Sequence, residues 1–397
     1  MKKSLFTTLF FIFSIISFSQ SINKTMLRLP DTGETTSYTS TFGEDNDFTI
    51  YAPFFIINGN GTVTDTITGL MWQQTDGGEM TIENATTYCS TLTLASFSDW
   101  RLPSAHEAFS ILNHQNTNPA LNTSIFSPTT AAEYYWTSDK QANDLTKIWA
   151  TNAGGGIGNH PKSETISAGG IKRFHARAVR NINSPSVISN HFTDNGNGTI
   201  SDNLTNLIWQ KIAYSDSLTW EKSLTYADTL SLNGFTDWRL PNIKELQSIN
   251  DESLYNPSIN TTFFSNIGVK KYWSSTTLPN QTTKAWYLDT QFGITTYYAK
   301  TGKINLICVR GNESNLTSLN RDITNGLKNS VFPNPFKSNI HIKVKTDNTD
   351  YELFNIFGQL KYSGKNIELH DFSYLENGIY ILKITDKSAS IIKLIKE

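Results

Sequence analysis

The chain has 397 residues, with Lys+Arg 33 against Asp+Glu 35, charged residues at 17% and aromatic residues at 12%. That length allows two to three domains, and the near balance of charge excludes a broad basic field for nucleic acid. Few charges, many aromatics and abundant Ser, Thr, Asn and Gly describe a strand- and turn-rich extracellular protein and argue against a helical cytosolic enzyme.

Residues 1–19 have the pattern of a secretory signal peptide: Lys2 and Lys3 precede the apolar run LFTTLFFIFSII, and Ser17-Phe18-Ser19 supplies small residues before Gln20. The run is short for a membrane span and no later segment qualifies, so no transmembrane segment is expected. A lead-in follows, containing LPDTG from Leu29. It matches the sortase cell-wall signal in letters only, because that signal acts near a C-terminus, before an apolar span and a basic tail. The two cysteines, Cys89 and Cys308, exclude a disulfide-stapled scaffold.

An internal duplication organises the rest. IINGNGTVTDTITGLMWQQ (Ile56 to Gln74) matches TDNGNGTISDNLTNLIWQK (Thr193 to Lys211), and SFSDWRLPSAHEAF from Ser96 matches GFTDWRLPNIKEL from Gly234. Eight of the nine tryptophans form pairs: Trp72/Trp209, Trp100/Trp238, Trp136/Trp273 and Trp149/Trp286. Aromatics that keep their places after duplication read as core anchors. Trp220 alone has no partner; Ile82 stands opposite it. The domains expected are 20–182 (first repeat with its lead-in), a linker 183–190, 191–312 (second repeat), a linker 313–328 and a terminal unit 329–397.

Within each repeat the Asn58-Gly59 and Asn195-Gly196 pairs predict a hairpin that begins an antiparallel meander. A helix follows, with Thr81 or Thr219 as N-cap. Asp-Trp-Arg-Leu-Pro leads to a second short helix with a capping box, Ser104 with Glu107 or Asn242 with Glu245. The class expected is α+β with antiparallel sheet dominant. Arg101 and Arg239, beside a buried Trp, each require a carboxylate or carbonyl partner, and Asp99/Asp237 and Glu107/Glu245 are the nearest in sequence. No nucleophile, base or Cys/His set recurs in both copies: His106 becomes Lys244 and Cys89 becomes Ala227. A non-catalytic protein is therefore expected.

Two binding readings remain. KRFHARAVR (Lys172 to Arg180) alternates, placing Arg173, His175 and Arg177 on one strand face, a group suited to sulfate or carboxylate if exposed; the second repeat keeps only Arg310. The NGNG hairpins fail as EF-hand loops, which need Asp first and Glu twelfth, yet a calcium site on Asp65 or Asp202 with loop carbonyls stays open. The cysteines face alanines of the other copy, Cys89 against Ala227 and Cys308 against Ala178, so each repeat keeps half of an intradomain pair.

With these motifs assembled, NGNGTISD, LIWQ, TWEKSLTYA, FTDWRLPNIKEL, YWSST, AWYLD and ICVRG resemble the Lcl-type C-terminal domain, twice in order, over roughly Leu27 to Gly311. The resemblance implies two tandem C-type-lectin-like domains, related in shape to formylglycine-generating domains, and adhesion to glycans, sulfated ones for the best-known member. Formylglycine chemistry needs reactive cysteines in the pocket, and neither repeat has two. The terminal unit reads as a small β-sandwich from its alternating apolar residues. Its Pro333-Asn334-Pro335, Phe357-Gly358-Gln359 and Gly378-Ile379-Tyr380 resemble the sorting domain of type IX secretion substrates. That implies engagement with the type IX machinery and a secreted or outer-surface location. The function expected is a surface binding or adhesion protein for a glycan or other extracellular polymer. The alternative is a structural spacer, with an enzyme on a formylglycine-type fold ranked last.

Overall fold

The computed structural model describes residues 21–48, 50–126, 133–152, 154–165, 174–311, 331–333, 335–342, 349–355, 359–385 and 389–397. The expected leader, Arg173, the linker 313–328, Asn334 and Gly358 lie outside the described residues.

The duplication is visible strand by strand. Asn-Gly turns close the first hairpin of each module; Gly59 and Gly196 adopt φ of +73° and +71°, a conformation that glycine alone enters without strain. Around them lie two four-stranded antiparallel sheets of the same order. In the first module the strands are Phe55–Ile57, Thr62–Asp65, Leu70–Gln73 and Val179–Asn181. In the second they are Phe192–Asp194, Thr199–Asp202, Leu207–Gln210 and Val309–Gly311. The last strand of each comes from the far end of its module, so the repeat closes on itself. A second sheet joins Ile157–Pro161, Asp144–Thr151 and Tyr134–Gln141 in the first module, with Phe174–His175 added in parallel. Its counterpart joins Lys271–Thr277, Lys284–Asp289 and Ile294–Ala299.

Among the described residues four helices cover these sheets: α1 (Ile82–Thr91), α2 (Ala105–Ser110), α3 (Trp220–Thr229) and α4 (Ile243–Ser248). They are short, so the protein is mostly β, with the antiparallel sheet dominant as the sequence led one to expect and the helical share small. Both capping boxes form: Ser104 and Asn242 accept from the amides of Glu107 and Glu245, and those carboxylates accept from the cap amides in return. Thr81 caps α1, whereas the Thr219 hydroxyl makes no such bond.

All eight paired tryptophans are buried. Trp100 and Trp136 fill the core between α1 and the second sheet of the first module, as Trp238 and Trp273 do in the second. Trp72 and Trp209 lie under the first sheets. Trp149 and Trp286 instead meet in one core shared by the two modules, with Phe109, Leu112 and Ile157 from the first and Ile243 and Leu278 from the second. Helix α2 packs on its own counterpart α4, and Ile157 of one edge strand packs near Ile294, its counterpart on the other. Equivalent surfaces meet, which is the signature of a two-fold interface. The stretch 183–190 contributes a strand, Ser186–Ile188, that pairs with Ile22–Lys24 of the lead-in.

Cys89 and Ala178 share one core and Cys308 and Ala227 share the other; both thiols are free and buried. Burial pushes the Cys89 thiol up to about 12 and the Cys308 thiol upward also, so neither is a ready nucleophile.

The terminal unit places a four-stranded antiparallel sheet (Leu360–Gly364, Asp350–Asn355, Gly378–Thr385, Ala389–Lys396) and a two-stranded ribbon (Val331–Phe332, His341–Ile342) around one apolar core of Phe336, Leu353, Phe372, Leu382 and Leu394. Tyr380 is buried there and its hydroxyl donates to the Glu376 carbonyl at 2.9 Å, while Pro333, Pro335 and Gly378 are exposed.

Candidate functional site

The two Asp-Trp-Arg-Leu-Pro stretches are hydrogen-bonded corners of the fold. Asp99 receives two bonds from Arg180 of the closing strand, at 2.7 and 3.1 Å, and Asp237 receives the same pair from Arg310 at 2.7 and 3.0 Å. The guanidinium of each lies over Phe97 or Phe235, 3.8 and 3.7 Å from the ring centre. Arg101 forks onto Glu107 (2.7 and 2.8 Å) and Arg239 onto Glu245 (2.6 Å twice), tying each capping box to the strand corner. Arg310 is thus buried against Asp237 as one of a structural pair with Arg180, which corrects the expectation that it faces a ligand.

Of the expected cationic face, Arg173 lies outside the described residues, and Arg177 and His175 are turned to partners within the module. Arg177 is 1% exposed. Its guanidinium donates to the carbonyls of Gln73 and Gln74 and lies 5.1 Å from the ring centres of both Phe126 and Tyr135. Among the described residues the strand covers Phe174–His175, and the chain after it pairs inward through Ala176 and Ala178. His175 is held by carboxylates: Nδ1 lies 3.0 Å from Asp76 Oδ1, and Nε2 3.8 Å from Glu133 Oε2. Tyr135 donates to Asp76 at 2.8 Å. Burial opposes the Asp76 charge, but bonds from His175 and the charge of Arg177 outweigh it and hold its carboxyl low.

Asp65 and Asp202 occupy equivalent turns, one per module. Asp65 accepts from the amides of Ile67 and Thr68 (3.0 and 3.2 Å), and Asp202 from Leu204 and Thr205 (2.9 and 3.2 Å). Both carboxylates therefore close turns. Among the described residues no three His, Cys, Asp or Glu side chains group as a metal site.

What the structure brings together is the joint between the modules, and the lead-in crosses it. On the first module the Thr32 carbonyl accepts from the His114 amide at 2.9 Å, and the Thr35 amide donates to Gln115 at 2.8 Å. On the second, Asp45 accepts from Thr276, Glu44 from Thr277, and Glu221 from Thr39 at 2.8 Å. Lys244 ties all three parts, donating at 2.7 Å to the Asp31 carbonyl of the lead-in and at 2.7 Å to the Ser110 carbonyl of α2. Burial lowers its pKa to about 8, against the charges of Asp31, Asp65 and Asp45. The carboxyls of Glu34 and Asp45 are driven well above their ordinary range, by burial first, then for Glu34 by Asp45 and Glu44, and for Asp45 by Asp31.

An open cavity of about 280 Å³ lies where the lead-in strand, α2, α4 and the turn at Leu204 converge. Four basic side chains line it, Lys24, Arg28, His106 and Lys244, and none of the described lining residues is acidic. In a chain of net charge −2 that is a local concentration of cations. Part of it is already balanced: His106 Nε2 lies 3.4 Å from Glu252, and Lys24 lies near Asp202 and donates to the Asn203 carbonyl at 3.3 Å. Arg28 is exposed, 4.8 Å above the Tyr51 ring. None of these four was singled out as a binding residue in the sequence. The one available signal was the divergence of His106 and Lys244 at a single repeat position, which reads only as loss of a shared catalytic set.

Comparison with known proteins agrees with the repeat. Residues 61–180 and 198–310 match the Lcl C-terminal domain, and residues 330–397 match the secretion system C-terminal sorting domain. The two Lcl matches cover more than half of the sequence, and the chain belongs to the Lcl C-terminal domain family. Its terminal unit is a type IX sorting domain, which marks a secreted or cell-surface protein engaged by that machinery. No curated protein matches the chain. A solved structure from a study of PorZ, described as an essential surface component of the type-IX secretion system of Porphyromonas gingivalis, aligns at 12% identity and TM-score 0.16. The alignment covers 66% of this chain and 30% of that one. Among the described residues no helix is long and apolar enough to cross a membrane.

Proposed function

We propose that this is a non-catalytic surface binding protein whose paired Lcl modules hold an extracellular glycan or other polymer at their joint. The observation that carries the reading is the cavity rim, where exposed Arg28 and half-buried Lys24 stand beside hydroxyl and amide side chains, with no acidic side chain among the described lining residues. Such a rim suits anionic groups along a polymer, which are held by charge-assisted hydrogen bonds. The sorting domain supports the reading by placing the modules outside the cell. A C-type-lectin-like module would serve this role, with the two copies presenting one composite site in place of two independent ones.

The test is binding of the full chain to sulfated, uronate-bearing and neutral polysaccharides across a salt series, with calcium and with chelator. Retention of anionic polymers that falls with salt and is lost in Arg28→Glu and Lys24→Glu is expected. Loss with chelator alone would move the site to the Asp65 and Asp202 turns. Retention of no polymer would overturn the reading.

A further inference from the structure

We propose that the interior of the joint cavity is a binding site for a free medium-chain carboxylate. The argument goes beyond polymer capture at the rim, because the cavity has two kinds of wall. Ile22, Met26, Leu29, Phe109 and Leu204 give it an apolar interior, while Lys24, Arg28, His106 and Lys244 supply cations. A bare sulfate would leave the apolar walls without a partner, and a neutral hydrocarbon would leave the exposed guanidinium of Arg28, which lies over the Tyr51 ring, without an anion. An anion on an apolar body satisfies both.

Size narrows the ligand further. At about 280 Å³ the cavity stands at the lower end of small-molecule sites, so a polysaccharide chain does not thread it and a short acyl body does. Lys244 is the fixed head-group partner. It is 1% exposed, and two of the three donors of its ammonium go to the carbonyls of Asp31 and Ser110, which locks the nitrogen in place. Arg28, exposed and held over the Tyr51 ring, is the second cationic partner. Because the walls come from the lead-in and from both modules, an occupant touches all three and ties them together.

Calorimetric titration of the full chain with sodium decanoate, below its micellar range, tests this, with a melting curve at each ligand concentration. One decanoate per chain and a melting temperature that rises with ligand are expected, since a ligand of the folded state alone stabilises it. Decanol lacks the charge and acetate lacks the chain, and each is expected to bind at least about tenfold more weakly. Arg28→Glu, at an exposed position, should weaken decanoate about tenfold. Leu204→Trp fills the interior and should abolish binding. Equal affinity for decanol and decanoate, no heat and no thermal shift at millimolar decanoate, or unchanged affinity in Arg28→Glu would each overturn the proposal, whether or not the tryptophan variant folds. Decanoate binding without polymer retention would leave this site standing and remove the polymer reading, and the reverse result would do the opposite.

Discussion

In the first module the amide of Ala105, at the start of α2, donates to Asp139 at 2.6 Å, a carboxylate from the module's own sheet. The equivalent amide of the second module, Ile243, donates to Thr276, and the carboxylate behind that hydroxyl is Asp45, from the lead-in. The second module is thus completed by residues that precede the first. The polar cluster tells the opposite story. Asp76, His175 and Arg177 of the first module correspond to Ala213, Asn305 and Ile307, with Ala213 and Ile307 buried. The same framework folds around an ion cluster in one copy and, in the other, around buried Ala213 and Ile307 with half-buried Asn305 beside them, as expected where buried ion pairs contribute little net stability against a hydrophobic replacement. The shared framework is the Trp, Arg and capping-box set with the Asn-Gly hairpins and the Asp65/Asp202 turns, and the polar cluster lies outside it.

The largest test of that comparison is Trp238→Ala, which should cost about 3–5 kcal/mol. Because Trp149 and Trp286 share one core, the modules should still melt in a single transition by calorimetry; two separated transitions would show that the joint does not couple them. Next, Arg239→Ala should cost about 3 kcal/mol by stranding Glu245, since both partners of that pair are 5% exposed. Arg101→Ala should cost less, because the Arg101 side chain is 37% exposed and water replaces part of the lost bond. Denaturant midpoints of the two variants measure the difference, and equal losses would remove this asymmetry.

A smaller effect with a definite sign comes from the lead-in. The Glu34 carboxyl is held well above its ordinary 4.5, chiefly by burial. The stabilising contribution of its acid form is therefore complete below the unfolded value and is lost as pH rises through the folded one. Glu34→Gln keeps the neutral shape at every pH. It should raise the melting temperature at pH 7, by about 1 kcal/mol in stability, and leave it unchanged at pH 4. A lower melting temperature at pH 7 would mean that the carboxylate is a needed partner of the joint. Least of all, Lys211→Ala removes an open ion pair with Asp194 that the first module lacks, and the melting temperature should not move measurably.

Much of this framework was legible in the sequence. Hairpin glycines, capping boxes and paired tryptophans are local signals, and each module obeys them. The arginines were the hard part. Alternation in KRFHARAVR predicts which side chains share a face, but only the packed chain reveals that the Arg177 face looks inward onto Gln73, Gln74 and Tyr135. Asp99 and Glu107 were both plausible partners for Arg101. Glu107 takes it, and Asp99 turns to Arg180, 81 residues away. The joint was illegible because its cavity is assembled from Ile22–Leu29, α2, α4 and the Leu204 turn, segments that no local pattern connects.

The pseudo-two-fold axis has a further consequence. In a dimer of identical chains every substitution at the axis appears twice, so each residue must tolerate its own copy's environment. Here one chain carries both halves, and the constraint is lifted. His106 and Lys244 occupy the same repeat position, as do His114 and Glu252. On one side of the axis His106 meets Glu252, an attractive pair. On the other, burial and the Lys244 charge hold His114 down to about 3, so it stays neutral and bonds to the Gly155 carbonyl. One side of the axis pairs an imidazole with a carboxylate and the other sets an ammonium beside a neutral ring, an arrangement that a symmetric dimer has no way to encode.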